Sequence, residues 1–134
     1  MSESVNPPGW PRPRGYSNGV AADVGPHGRL LAIAGQIGWN EGGELAGADI
    51  ASQTAQALRN VIAVLTAADG DARHLVRLTW YVTDKHAYRV AEKAIGAAYR
   101  EIVGDHYPAM TVVQVADLLE DGALVEIEAT AFIP

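Results

Sequence analysis

Two stretches of the chain repeat apolar residues every three or four positions, the spacing of an amphipathic helix. Asp49 stands before the first stretch, as an N-cap residue would, and Asp-Gly-Asp at 69–71 ends it. A second helix is predicted from about residue 85 to residue 103, with Gly104 as its C′ residue. The stripe of the first helix comprises Ile50, Thr54, Ala57, Leu58, Val61, Ile62 and Leu65, and that of the second Val90, Ala91, Ala94, Ile95, Ala98, Tyr99 and Ile102.

Other stretches follow the patterns of β-strands. We predict a first strand within residues 16–24, a mostly buried strand at 29–38, and a short strand at 110–115 after Pro108. Residues 74–83 alternate, which places Val76, Leu78, Trp80 and Val82 on one face and Arg77, Thr79, Tyr81 and Thr83 on the other. The last strand, 123–133, places Val125, Ile127, Ala129, Ala131 and Ile133 opposite Glu126, Glu128, Thr130 and Phe132.

The predicted element order is β-β-α-β-α-β-β, an α+β sandwich with two helices on one face of a mixed sheet. Residues 1–14 form a Pro-rich, extended N-terminal arm, and residues 15–134 form one domain. The other sheet face carries Leu124 and Phe132 with two carboxylates between them. A monomer could tolerate this mixture on a solvent-exposed face. An oligomer whose sheets pack together, with polar residues lining the seams, explains it better.

Composition narrows the possible functions. The chain has 134 residues, a net charge of −6 and no cysteine, which excludes thiolate chemistry and disulfides. No apolar run is long enough for a membrane span, and the N-terminus does not resemble a secretory signal, so we expect a cytoplasmic protein without a membrane partner. The acidic balance argues against a nucleic-acid partner.

Polar side chains show no known catalytic spacing apart from the features below. The four histidines (His27, His74, His86, His106) lack metal-ligand spacing, and no serine lies in a nucleophile elbow. We therefore expect no metal and no cofactor. His106 and Tyr107 are weak candidates for ligand contact, and Trp39 is placed to cover a cleft at the end of the 29–38 strand.

Several motifs, in order along residues 15–133, resemble those of the Rid family (YjgF or RidA-like proteins). They are GYSNGV, AGQIG, a helical L-x-G-x-D-I-x-x-Q-x-x-Q-A-L-x-N-V-x-A-V-L, YVTD, HYPAMTVVQV and VEIEATA. The resemblance implies the chorismate mutase-like fold and a homotrimer whose sheets form a central barrel. It also implies inter-subunit clefts that hydrolyse reactive imines and enamines to a 2-keto acid and ammonia without a cofactor.

Family site residues match this chain at three positions. The resemblance implies that Tyr16 and the backbone N–H of Gly35 contact the ligand and that Glu126 positions the attacking water. The chain departs from the family pattern at three others. Ala34 replaces a serine, the asparagine of the second helix falls near Glu92 or Lys93, and Met110 replaces the arginine of the P-A-R motif.

The loss of that arginine is the largest departure. A guanidinium binds a carboxylate bidentately, whereas a methionine thioether cannot neutralise it. Removing such a partner costs roughly 2–5 kcal/mol, which is about 30-fold to several thousand-fold in affinity for a 2-imino acid. Met110 either simply packs the cleft floor or changes specificity toward a neutral or apolar ligand. Arg14 and Arg29 are possible substitute anchors.

Glu126 also has two interpretations. It is a solvated side chain on an outward face, or it lies in an enclosed cleft where burial and the nearby Glu128 raise its pKa. The resemblance favours the cleft for Glu126 and a structural role for Glu128. Three functions remain open: a divergent Rid-type hydrolase, which we favour; a non-catalytic trimer that binds a small metabolite; and a ribonuclease-like role, which the acidic balance disfavours.

Overall fold

The computed structural model describes residues 2–134, which form one sheet with helices packed on one face. The strands are β1 (Ser2–Val5), β2 (Gly19–Asp23), β3 (Arg29–Ile37), β4 (Leu75–Val82), β5 (Ala109–Gln114) and β6 (Val125–Ile133). The helices are α1 (Ile50–Ala67), α2 (Lys85–Val90) and α3 (Glu92–Ile102), with a 3₁₀ turn at Ala72–His74. Among the described helices, none has the length and apolarity that a bilayer span requires.

The six strands lie in the order β1-β2-β3-β6-β4-β5. All neighbours are antiparallel except β4 and β5, which run parallel. A parallel pair needs a crossover connection, and α2 and α3 supply it. The last strand therefore lies in the middle of the sheet, between β3 and β4, while β5 lies at an edge. The α+β fold class predicted from the sequence is confirmed.

Helix α1 covers the centre of the sheet. Asp49 caps it by accepting a 3.0 Å hydrogen bond from the Ser52 N–H, as predicted, and this bond lowers the pKa of Asp49. The predicted stripe is buried apart from Ile62, which is half-buried. Together with the inward residues of β3, β4 and β6 it forms the core. Each fully buried aliphatic side chain here contributes roughly 1.5–3 kcal/mol.

The alternation of the last strand is confirmed. Val125, Ile127, Ala129, Ala131 and Ile133 are buried under the helices. Glu126, Glu128 and Thr130 are half-buried on the opposite face, and Phe132 is exposed there. Burial on both sides of this strand reflects its central place in the sheet, which no local pattern could reveal.

The predicted face of β4 is wrong at its first residue. Val76 is 51% exposed, and Leu75 is buried instead. The register with β6 shifts between Leu75 and Arg77, so a bulge inserts one residue and reverses the alternation upstream of it. From Leu78 onward the predicted faces hold.

The second predicted helix is two helices. The chain breaks at Ala91, whose ψ of 3° lies outside the helical range, and α3 starts at Glu92. The break turns the two stripes out of phase, so Val90 is 74% exposed and the burial predicted for it is wrong. Ile95 and Tyr99 are buried as predicted, and Gly104 follows with a φ of 98°.

The N-terminal arm contains a strand that the sequence pattern did not predict. Ser2–Val5 pairs antiparallel with β2, and Val5 is buried. The first predicted strand also begins later, at Gly19 rather than residue 16. Only residues 6–18 between β1 and β2 remain outside the sheet, and they form a loop whose ends lie close together.

Gln53 is a buried polar residue that connects three segments. Its Nε2 donates to the carbonyls of Gly47 and Gly122 at 2.9 and 3.0 Å, and its Oε1 accepts a 2.8 Å bond from the Leu124 N–H. Helix α1 is thereby fixed to the loop before it and to the turn before β6. The Gln53 amide thus supplies hydrogen-bond partners to backbone groups that would otherwise be left without them.

Substituting Gln53 by Met keeps the size of the side chain but removes all three bonds. We expect the free energy of unfolding to fall by about 2–4 kcal/mol, because buried backbone groups lose their partners. Urea unfolding at a fixed protein concentration measures this. Gln56→Met, on the same helix and with one side-chain bond to Asn60, is the control and should cost about 1 kcal/mol or less. Equal losses in the two variants would contradict the role of Gln53.

Candidate functional site

A cavity of about 460 Å³ opens where β3 ends beside β6. Its volume lies in the range of pockets that hold small organic ligands. The loop 6–18, the end of β3, the turn after it, the segment before β6 and β6 itself all contribute to its wall. Five of the six side chains or backbones predicted from the sequence line it: Tyr16, Ala34, Gly35, Trp39 and Glu126.

Glu126 is positioned by close contact with Gly35. The register between β3 and β6 shifts between Ile33 and Gln36, so Ala34 and Gly35 lie in a β-bulge. A Cβ on Gly35 would lie 2.8–2.9 Å from the Cδ and Cγ atoms of Glu126, well inside van der Waals contact. Gly35 therefore provides the space that the Glu126 carboxylate occupies, and any larger residue would displace it.

The environment of Glu126 disfavours its charge. Burial raises the pKa of its carboxyl group, and the nearby negative charge of Glu128 raises it further. A carboxyl group with a raised pKa is a stronger base and a better proton carrier near neutral pH than a solvated one. The cleft interpretation of Glu126 is the one that the geometry supports.

Glu128 has a different set of contacts. It accepts a short hydrogen bond from the hydroxyl of Tyr81, and this bond is the main cause of the raised pKa of Tyr81. Glu128 does not line the cavity. The hydrogen bond to Tyr81, on the neighbouring strand β4, agrees with the structural role expected for Glu128.

A partly buried amide network joins the loop 6–18 to β3. Asn6 Oδ1 accepts two 3.0 Å bonds, from the backbone N–H and the side-chain amide of Asn18. The Asn18 carbonyl accepts a 2.7 Å bond from the Ala34 N–H, and Gln36 Nε2 donates to the Ala34 carbonyl at 3.0 Å. The loop that carries Trp10 and Tyr16 is thus fixed beside the bulge.

A second buried amide fixes Trp39. Asn60, on α1, donates through Nδ2 to the carbonyls of Ile37 and Trp39 at 3.0 and 2.8 Å. Its Oδ1 accepts a 2.9 Å bond from Gln56. The backbone of the turn that presents Trp39 to the cavity is therefore held by the helix layer.

Met110 does not line this cavity. It lies on β5, opposite Leu78 of β4, with β4 and β6 between it and β3. Its contact with a ligand therefore requires a neighbouring chain and stays a prediction. Arg29 is not a substitute anchor, because its guanidinium donates to the Ala68 carbonyl at 2.7 Å and lies 3.6 Å from Glu3.

Tyr107 and His106 make contacts within the fold. The Tyr99 hydroxyl donates to the His106 carbonyl at 2.6 Å, and the Tyr99 and Tyr107 rings stack with centroids 5.3 Å apart. The His106 ring lies 2.8 Å from the Leu75 carbonyl. Neither residue borders the cavity. Within residues 2–134 no three potential metal-binding side chains gather at one place.

Sequence reasoning missed several lining residues: Trp10, Asn18, Gln36 and Asn60. Trp10 was assigned to an arm with no fixed position. The three amides carry a recognisable signal, because a polar residue inside an apolar strand or stripe needs a partner when it is buried. Asn18 and Gln36 are indeed buried, at 5% and 7% exposure.

Comparison with known proteins places this chain in a family. The family described as endoribonuclease L-PSP matches residues 11–133. A crystal structure from Yersinia pestis, of a protein of unknown function in the conserved Rid protein family, superposes with a TM-score of 0.80 at 30% identity over 98% of both chains. The chain belongs to the Rid family.

Two curated relatives illustrate the range of names around this Rid-family protein. A RutC family protein of Pyrococcus horikoshii is 34% identical over 134 residues, which cover 98% of each sequence. The human 2-iminobutanoate/2-iminopropanoate deaminase is 32% identical over 117 residues, which cover 87% of this chain and 78% of the human protein.

The raised pKa of Glu126 has a consequence for stability. The folded Rid-family protein holds this proton to a higher pH than the unfolded chain, in which the carboxyl group titrates near its ordinary pKa of 4.5. Stability therefore falls as the pH rises from about 4.5 through the folded pKa. We expect Glu126→Gln to be more stable than the wild type at pH 7 and equal to it below about pH 4.

Urea unfolding across this pH range measures the difference. Glu101→Gln, on the exposed side of α3, is the control and should run parallel to the wild type at every pH. A Glu126→Gln curve that is parallel to the wild type would show that the carboxylate is solvated in the folded protein.

Proposed function

We propose that this protein hydrolyses a small imine or enamine in a cleft that two neighbouring subunits of a homotrimer complete. The observation that carries the proposal is the Glu126 carboxyl group, half-buried with a raised pKa and seated on Gly35 inside an aromatic cavity. The relative whose name specifies 2-iminobutanoate and 2-iminopropanoate deamination supports the reaction class.

The reaction needs one base and no redox chemistry. Glu126 takes a proton from a water molecule as the water oxygen adds to the carbon of the C=N bond. The nitrogen takes that proton to give the neutral carbinolamine. The hydroxyl proton of the carbinolamine then passes through Glu126 to the nitrogen as the C–N bond breaks. The products are a carbonyl compound and ammonia, and the carboxylate is restored. An enamine enters the same sequence after protonation on carbon gives the imine.

The exposed sheet surface supports the trimer. Every residue of β5 is exposed, although β5 contains methionine and two valines. On the side of the sheet away from the helices, Val20, Leu30 and Phe132 are about 40% exposed. An edge strand and an adjoining apolar face of this kind are typical of surfaces that another subunit covers. The second half of the cleft would then come from the neighbouring chain.

Met110 makes a simple 2-imino acid a poor substrate in this proposal. A methionine offers no bidentate partner for a substrate carboxylate. We therefore expect the natural substrate to lack a carboxylate next to the C=N bond. The same substitution is the argument for a second candidate, a trimer that binds a metabolite without turning it over.

Ammonia release in the presence of substrate tests the proposal. Two imines are compared: 2-iminopropanoate generated in situ and the N-unsubstituted imine of acetophenone, which has no carboxylate. We expect acceleration over buffer for the neutral imine, and a loss of roughly 10²–10⁴-fold in Glu126→Gln because the general base is gone. Glu101→Gln is the matched control. Rates equal to buffer for both imines would favour the binding module, and a fully active Glu126→Gln would remove the mechanism.

Replacing Met110 by Arg tests the missing anchor. If the neighbouring chain brings position 110 to the cleft, the guanidinium should raise kcat/KM for 2-iminopropanoate by about 30-fold to several thousand-fold. The neutral imine should gain nothing. Met110→Leu is the control for packing and should change neither rate. No gain for the imino acid would mean that position 110 does not reach the ligand.

A further inference from the structure

The side chains around the cavity form an unusual chemical set. Three aromatic rings (Trp10, Tyr16, Trp39) and three carboxylates (Glu41, Glu120, Glu126) border it. Among the described residues, neither lysine nor arginine contributes to this lining. A cavity of 460 Å³ holds a ligand of one or two rings.

Two of the three rings are carried by backbone that hydrogen bonds hold in place. Trp10 is half-buried against the core, and its backbone N–H donates to the Pro7 carbonyl. Trp39 is held through its backbone by Asn60. A ring that is fixed before binding loses little entropy when a ligand stacks on it.

Rings and carboxylates attract the same kind of ligand. The face of an aromatic ring attracts a cation through its quadrupole, most strongly for tryptophan. The nearby carboxylates add Coulomb attraction, and they repel an anion. From this combination we infer that the cleft selects a ligand that carries a positive charge beside a planar group, such as an iminium ion or an arylalkylammonium, and rejects a free carboxylate.

This inference rests on the proposed function for its substrate class, since a protonated C=N group is itself such a cation. It also gives the replacement of arginine by Met110 a chemical reason, because a guanidinium in the same cleft would repel the ligand. Binding of unreactive probes separates the inference from catalysis. A probe can bind with the expected preference even if no imine is hydrolysed.

Three probes of similar size and different charge form the test: benzylammonium, benzyl alcohol and benzoate. Calorimetric titration of the full-length protein at pH 7 gives each dissociation constant. We expect benzylammonium to bind about 5- to 30-fold more tightly than benzyl alcohol, and benzoate to bind more weakly than either. Raising the salt concentration should reduce the preference for the cation, since salt screens the carboxylates.

Two variants assign the preference to the cavity. The double variant Glu41→Gln/Glu120→Gln removes two exposed lining charges and should lower the benzylammonium preference several-fold. Glu101→Gln, exposed on α3, is the matched charge control and should leave it unchanged. Trp39→Leu should weaken both benzylammonium and benzyl alcohol, with the larger loss for the cation.

Equal affinities for the three probes, or tighter binding of benzoate, would overturn the inference. In the second case, two further variants identify the cation. Arg12→Gln/Arg14→Gln tests the loop that carries Trp10. Arg89→Gln tests a shallow depression of about 200 Å³ beside β5, which Lys85, Arg89 and Val112 border. In the trimer, a neighbouring subunit would bring this depression to the cleft. Loss of benzoate binding in either variant would show that the anchor has moved to that position.

Discussion

The Glu126 carboxylate occupies the space where a side chain at Gly35 would lie, and this close approach sets the geometry of the site. It depends on the bulge in β3, because that irregularity takes Ala34 and Gly35 out of the regular ladder beside β6. It also depends on the place of β6 between β3 and β4, which limits the solvent that reaches the carboxyl group. Burial of an acid in this way is unfavourable for folding, and such strain is typical of positions kept for chemistry.

Buried amide side chains, rather than charged ones, hold together the chain segments around the cavity. Asn18, Gln36, Gln53 and Asn60 are all buried. The side chain of each forms a hydrogen bond with a residue that is distant in sequence: Asn18 with Asn6, Gln36 with Asn18, Gln53 with Gly122 and Asn60 with Ile37. Neutral amides can satisfy backbone groups without adding to the field around Glu126. The carboxyl group therefore meets polar neighbours but no compensating cation among the described residues that line the cavity.

Much of this architecture could be predicted from the sequence, because the spacing of apolar residues in a long helix or strand indicates directly which residues are buried. The stripe of α1, its Asp49 cap and the alternation of β6 follow from local spacing. Three features could not be predicted in that way. The bulge at Leu75–Arg77 and the break at Ala91 reverse a local period, and the pairing of Ser2–Val5 with β2 is a tertiary contact.

The site shows the same division. Tyr16, Gly35 and Glu126 were found through motif resemblance, and the cavity brings them together. Trp10 was missed because its segment contains prolines and lacks a period, so nothing local indicates that it folds back over the cavity.

The charge of the side chains around the cavity is the feature in which this chain departs most from the family pattern. In a family site with an arginine, a guanidinium beside Glu126 would lower the pKa of that carboxyl group, because an opposite charge stabilises the carboxylate. In this chain burial and the charge of Glu128 both raise the pKa of Glu126, and no cation lies among the described residues that line the cavity. If a neighbouring chain brings Met110 to the cleft, as the resemblance implies, the substitution would remove the anchor for an anionic ligand and leave Glu126 without a guanidinium that lowers its pKa. A bound cation beside Glu126 would lower the pKa of its carboxyl group and leave the carboxylate ready to accept a proton from water, so the charge of the ligand and the pKa of Glu126 would be coupled in the cleft.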